Sequence, residues 1–106
     1  MNSITLSDVA FYVERLPPEE RAKVWTSIKA LERLAFEKIE VRSLRGDIKE
    51  LKVGPHRIFF FWVGDTVYLV SAFRKKSRKA PAREIDRAEA ILHAVTRARR
   101  VRSNLP

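Results

Sequence analysis

A chain of 106 residues with 45% apolar composition is of single-domain size, too short for two ordinary cores and too apolar for a disordered polymer. Lys and Arg number 22 against 13 Asp and Glu, giving a formal charge of +9, above the magnitude of roughly 2 to 8 that keeps a small domain in solution. The absence of cysteine excludes disulfides, thiolate ligands and a thiol nucleophile. His56 and His93 stand far apart with no neighbouring ligand pattern, so no metal and no other cofactor is expected. The N-terminus lacks a basic-then-apolar signal, and the longest apolar run, Ile58 to Val63, is too short to span a bilayer. A cytoplasmic location with no membrane partner is therefore expected. The excess positive charge suits phosphates, whose neutralisation releases counterions, and it suits an acidic protein partner as well.

In chain order, Ser7 or Asp8 can cap a helix running to about Leu16, with Val9, Val13 and Leu16 at helical spacing and Phe11 and Tyr12 at its margin. Pro17 and Pro18 interrupt it. Pro18 opens a second helix, with Glu19 and Glu20 at its positive end, that reaches about Phe36 and buries Trp25, Ile28, Leu31 and Ala35. The pattern then becomes extended. Ile48, Leu51 and Val53 mark a strand, Gly54-Pro55 a turn, Arg57 to Val63 a second strand, Gly64-Asp65 a tight hairpin, and Thr66 to Phe73 a third strand. The middle strand is apolar on both sides, which places it centrally, with one face under the helices and the other lining a cleft. Pro81 opens a last helix whose stripe is Ile85, Ala88, Leu92 and Val95, and residues 97–106 read as a basic tail carrying Arg97, Arg99, Arg100 and Arg102. One domain over residues 1–106 follows.

Strand parity groups the charges. Glu50 and Lys52 share a face, Arg57 begins the neighbouring strand, and Arg74, Lys75, Lys76, Arg78 and Lys79 leave the third strand in one run. Antiparallel neighbours lie about 5 Å apart, so these groups can converge at one edge of the sheet. Such a cluster suits RNA cleavage without metal, in which the 2′-hydroxyl attacks the adjacent phosphate and guanidinium and ammonium groups stabilise the charge that grows on the phosphoryl oxygens. A DNA-binding face would look similar.

An ordered series of short motifs goes further. Leu44-Arg45-Gly46 precedes the first hairpin strand, and Glu50-Leu51-Lys52, Arg57, Phe73-Arg74-Lys75-Lys76-Ser77, Lys79-Ala80-Pro81, Glu84-Ile85 and Ala88 follow in order. From Leu44 to Ala88 the chain resembles the phage-derived host-killer branch of HigB-type toxins in the RelE/ParE superfamily. The resemblance implies an α+β, RelE/ParE-like domain: an N-terminal helical hairpin on a mainly antiparallel sheet of three or four strands, closed by a C-terminal helix. It also implies the toxin of a type II toxin–antitoxin system, a ribosome-dependent, metal-independent endoribonuclease that cleaves translated messenger RNA. The implied catalytic residues are Lys52, Arg57 and Lys76, with Lys75 beside them. Two departures stand out. The family's first strand has only Met1 to Leu6 to occupy, and its usual Arg is Lys at position 52, which keeps the charge but loses the bidentate fork.

Glu50 and His56 join the site as residues that move a proton or orient a neighbour, His56 because it stands beside Arg57 and carries an imidazole. Arg74, Arg78 and Lys79 are expected to bind RNA backbone, and Phe59 and Phe61 to pack in the core in preference to stacking on bases. Replacing Arg57 or Lys76 by Ala should slow cleavage far more than it destabilises the fold. The expected partners are messenger RNA, the ribosome and a helix-turn-helix antitoxin of HigA type, the last docking on the helical side through Val9, Tyr12 and Trp25. The rival readings are a non-catalytic inhibitor of DNA gyrase of ParE type, and a nucleic-acid or antitoxin-binding module without activity.

Overall fold

The computed structural model describes residues 2–103. Strand β1 (Asn2–Thr5) leads into helices α1 (Ser7–Glu14) and α2 (Pro18–Glu32). A 3-10 turn at Phe36–Lys38 precedes the strands β2 (Glu40–Arg45), β3 (Ile48–Val53), β4 (His56–Val63) and β5 (Thr66–Arg74), and α3 (Ala82–Ser103) closes the chain. The sheet has five strands in the order β1-β5-β4-β3-β2. β2 through β5 form an antiparallel meander, and β1 lies parallel to β5 with Ile4 opposite Tyr68. The fold is α+β, with helices on both faces of a mainly antiparallel sheet.

β4 is the central strand, and its apolar alternation divides between two cores. Ile58 and Phe60 join Leu51, Val67 and Leu69 under α1 and α2, where Val9, Val13, Val24, Ile28 and Leu31 cover them. Phe59 and Phe61 face the other way, against Ile48, Val70, Ile85 and Ala88. Phe59, Phe60 and Phe61 expose no surface, each burial contributing about 2 to 3 kcal/mol. The second face of β4 is thus mostly roofed by α3, and only the end beyond the start of that helix stays open. Phe59 and Phe61 are core residues and offer no ring to a base.

Five details differ from the sequence reading. The sheet has five strands where three or four were expected: β1 occupies the short space left for a first strand, and β2 was not foreseen. α1 begins at Ser7, so neither Ser7 nor Asp8 caps it; Leu6 takes the cap position and makes no side-chain cap bond. Asp8 instead reaches across to Arg87 of α3, at 2.7 Å. α2 stops at Glu32 because Leu34 turns left-handed (φ 60°), a conformation that costs a side-chain-bearing residue about 1 to 2 kcal/mol. It is held by the Ala35 N–H on the Ala30 carbonyl, at 2.9 Å. Finally, α3 does not end near Val95. It runs 22 residues, about 33 Å, so Arg97, Arg99, Arg100 and Arg102 are helical; residues 104–106 of the expected tail lie outside the described residues. Among the described residues no helix is long and apolar enough to cross a membrane.

Candidate phosphate-binding cleft

Register decides which charges meet. Lys52 pairs with Arg57 across β3 and β4, Glu50 with Phe59, and Arg57 with Phe73 across β4 and β5. On the outer side, β2 sets Glu40 beside Lys52 and Arg42 beside Glu50. All these side chains fall on the α3 face of the sheet, at the end that α3 leaves uncovered. Two adjoining hollows of about 100 and 270 Å³ share Arg42, Glu50, Arg57 and Lys75 as walls. Lys52 and Glu40 close one, and the loop from Lys76 to Pro81 with Arg83 and Glu84 closes the other. Cations outnumber carboxylates, and every carboxylate is engaged. Glu40 pairs with Lys52 at 3.5 Å, Glu50 with Arg42 and Arg57, and Glu84 accepts a hydrogen bond from Ser71.

The floor of the cleft is a buried ionic triad. Glu50 receives the Arg57 Nε at 3.4 Å on one oxygen and the Arg42 Nη2 at 2.9 Å on the other. Glu50 and Arg57 are almost wholly buried, whereas the Arg42 side chain is 61% exposed. Arg57 also donates through Nη1 to the Gly54 carbonyl at 2.6 Å and the His56 carbonyl at 3.0 Å. Gly54 sits at φ 56° in the turn between β3 and β4, a left-handed position that glycine adopts without strain. One guanidinium thus ties the turn to the triad. Lys52, Lys75, Lys76, Arg78 and Lys79 are exposed at the rim, where the loop is braced by the Ser77 hydroxyl donating to the Lys79 carbonyl at 3.0 Å.

The expected set is therefore brought together in part. Lys52, Arg57, Lys75 and Lys76 line the cleft with Glu50, and Arg78 and Lys79 belong to its loop side; Arg74 borders the second hollow but pairs with His56 and acts on Tyr12, on the opposite face of the sheet. His56 is not among them. Even-numbered positions of β4 face the helical hairpin, so His56 is buried on the opposite side of the sheet from its neighbour Arg57. Its Nε2 bonds Glu20 at 2.8 Å and its Nδ1 bonds the Tyr12 hydroxyl at 2.7 Å. A carboxylate only accepts, so the network assigns the proton to Nε2, and in the neutral ring Nδ1 accepts from Tyr12. Burial raises the Tyr12 hydroxyl above its ordinary pKa, with nearby Arg74 opposing the shift and Glu20 adding to it. His56 thereby pins α1 and α2 to the sheet. Val9 is also misplaced by the sequence reading: it has no exposed surface and cannot dock a partner. Tyr12 and Trp25 are half-buried against the same core, and the exposed aromatic of α1 is Phe11, capped by the Arg15 guanidinium 4.3 Å from its ring centre.

Sequence reasoning missed Arg42, Phe73, Arg83 and Glu84. Arg42 escaped because its strand was not recognised; the alternation of Ile39 and Val41 with Glu40 and Arg42 was the available signal. Phe73, edge-on to Phe59 at 5.1 Å, supplies the aromatic wall that Phe59 and Phe61 cannot. Arg45 of the Leu44-Arg45-Gly46 motif stands apart from the cleft. It bonds Asp86 at 2.7 Å and Glu89 at 2.6 Å, fastening β2 to α3, and these two carboxylates raise its pKa further. Among the described residues no group of three or more His, Cys, Asp or Glu is arranged to hold a metal ion.

Residues 12–93, from the helical hairpin through the cleft to the middle of α3, match the family model described as Phage derived protein Gp49-like (DUF891). The chain belongs to this phage-derived family. No curated protein matches it significantly. The matched span includes both the Gp49-like chain's buried triad and its basic loop, and it stops short of the last turns of α3.

Proposed function

We propose that this Gp49-like protein is the toxin of a type II toxin–antitoxin pair, and that it cleaves translated messenger RNA on the ribosome without a metal. The observation that carries the reading is the convergence of Lys52, Lys75 and Lys76 with Arg42 and Arg57 around one cleft in which Glu40 and Glu50 are paired with cations and Glu84 is held by the Ser71 hydroxyl. The HigB-like order of motifs from Leu44 to Ala88 adds to it. A phosphodiester entering the cleft meets cations on several sides. The 2′-oxygen attacks phosphorus, the bond to the 5′-oxygen breaks, and the products are a 2′,3′-cyclic phosphate and a 5′-hydroxyl. The proton lost by the 2′-hydroxyl is balanced by one delivered to the departing 5′-oxygen. The exposed ammonium groups of Lys52 and Lys76 are the groups placed to stabilise the phosphoryl oxygens and supply that proton. Glu50 has both oxygens occupied, so its part is to orient Arg42 and Arg57. Arg42 restores at the cleft wall the exposed fork that Lys52 lacks.

The test is a translating extract supplied with the purified chain, with RNA ends mapped. Codon-linked cuts bearing cyclic or 3′-phosphate are expected, with Lys52→Ala and Lys76→Ala each slowing cutting by about 10²-fold or more. Cuts that leave 5′-phosphate and 3′-hydroxyl ends overturn the chemistry. The internal commitment of Arg57 favours a second reading, in which the cleft binds and does not cut. Gyrase supercoiling followed in the same extract separates a gyrase inhibitor from a module that only binds. A helix-turn-helix antitoxin of HigA type belongs to the proposal, docking on the α1–α2 side through Phe11 with Tyr12 and Trp25.

A further inference from the structure

We infer that the C-terminal half of α3 is a second RNA contact, an arginine stripe that grips the phosphate backbone of a structured RNA away from the cleft. The inference rests on the RNA-directed reading of the cleft and extends it to the part of the helix outside the family match. Arg83, at the start of α3, lines the cleft; on the same exposed side of the helix follow Ala90, His93, Arg97 and Arg100. The intervening Asp86 is neutralised by Arg45. His93, Thr96, Arg97 and Arg100 line a shallow groove whose only acidic wall is Asp47, from the turn between β2 and β3. Among the described residues neither Arg97 nor Arg100 forms an ion pair with it or with another carboxylate.

Beyond the core the helix still touches the sheet: Arg99 lies over Gly64, where a Cβ would come within 2.7 Å of its guanidinium. From Arg83 to Arg100 is about 25 Å along the axis, roughly three Debye lengths at physiological salt. Cleft and stripe therefore act as two contacts and not one diffuse field. An acidic protein patch could cover either one. Cations at the two ends of one exposed helix side, separated over that length, fit a long polyanion, and guanidinium is the group that binds phosphate oxygens in pairs. The expected ligand is double-helical RNA, whose backbone carries no sequence requirement for this contact.

Two probes separate stripe from cleft: a 20-base-pair RNA duplex, and an uncleavable 2′-deoxy hexanucleotide too short to reach both. The Arg97→Gln/Arg100→Gln variant should bind the duplex at least about tenfold more weakly at 0.1 M salt, with a salt slope shallower by about 2. It should bind the hexanucleotide as wild type does. Arg97→Lys/Arg100→Lys, which keeps the charge, should keep the slope; a loss equal to that of the Gln pair overturns the phosphate contact. Lys23→Gln/Lys29→Gln, removing two exposed charges from α2, should leave duplex binding unchanged, and an equal loss there also overturns it. Unchanged duplex binding by Arg97→Gln/Arg100→Gln rejects the stripe and leaves the cleft reading intact. Duplex loss in that variant with no hexanucleotide binding by either protein rejects the cleft reading and leaves the stripe. Tighter binding of polyglutamate or of a DNA duplex than of the RNA duplex, with the same dependence on Arg97 and Arg100, overturns the assignment to RNA.

Discussion

Replacing Arg57 by Ala removes three contacts at once: the pair with the buried Glu50 carboxylate, the bond to the Gly54 carbonyl and the bond to the His56 carbonyl. Arg42 still neutralises Glu50 from the exposed side, so the carboxylate is not wholly stranded. Breaking one side of a buried pair nevertheless costs about 3 to 5 kcal/mol, which for a domain of this size lowers the unfolding midpoint by roughly 15 to 30 °C. The double variant Glu50→Ala/Arg57→Ala leaves no uncompensated charge in the triad's floor. It should therefore be more stable than the sum of the single losses by about 1 to 3 kcal/mol. Thermal and urea unfolding of the four proteins, followed by circular dichroism, measures both quantities. Lys76→Ala, at an exposed position without a bonded partner, serves as the reference and should stay within about 0.5 kcal/mol of wild type. If Arg57→Ala loses less than about 1 kcal/mol with an unchanged urea slope, the guanidinium is not a structural tie and the reasoning fails. The sequence-based expectation that Arg57→Ala would slow cleavage far more than it destabilises the fold thus does not suit a residue buried to this degree. Cleavage by that variant has to be measured at a temperature where it is shown to be folded.

Tyr12→Phe should cost about 1 kcal/mol at neutral pH by removing the hydroxyl from the His56 ring. It should also flatten the alkaline arm of the stability profile. The raised Tyr12 pKa means the folded chain holds that proton more tightly, so its contribution is present below the unfolded value near 10 and is lost as pH rises through the folded one. Unfolding free energies between pH 9 and 11 check this, and equal slopes for the two proteins reject it. For the antitoxin, binding should protect backbone amides of α1 and α2 from hydrogen exchange. Protection confined to Glu50 through Lys79 would instead put the antitoxin over the cleft.

The three meander strands were legible as apolar runs between turn signals, and the three helices as apolar stripes at helical spacing. The two edge strands were not, for separate reasons. β1 is a four-residue edge strand with three exposed positions, so it shows no alternation against a core. β2 buries only Val41 and Leu44 halfway, one against each core, so neither face of the strand shows an apolar repeat. The true extent of α3 was hidden because its apolar stripe ends at Val95. Beyond that point the helix continues on the propensity of Ala and Arg, which leaves no periodic trace. The charged set of the cleft was legible from parity along β3 and β4. Which of its members are buried was not, because burial depends on β2 and on the start of α3.

Parity along β5 could not be read at all, and it is what gives the cleft its composition. Phe59 pairs with Ser71 and Phe60 with Leu69, so Val70 is an extra residue opposite the central strand. The bulge turns both Val70 and Ser71 toward α3, where the Ser71 hydroxyl bonds Glu84 and the Val70 carbonyl accepts from Arg87 Nη1 at 2.6 Å. Every later position of β5 is thereby shifted by one face. Phe73 comes to lie beside Phe59 at the mouth of the cleft, and Arg74 lies across from His56, on the side of Tyr12. With regular alternation the two would exchange places: a phenyl ring would press on the buried histidine network, and the cleft would lose its aromatic wall. Bulges commonly re-aim side chains beside functional sites. Here the re-aiming is secured by α3, because Arg87 holds both the Val70 carbonyl and Asp8 of α1. The helix that roofs one half of the sheet face thus also sets which side chains stand in the half it leaves open.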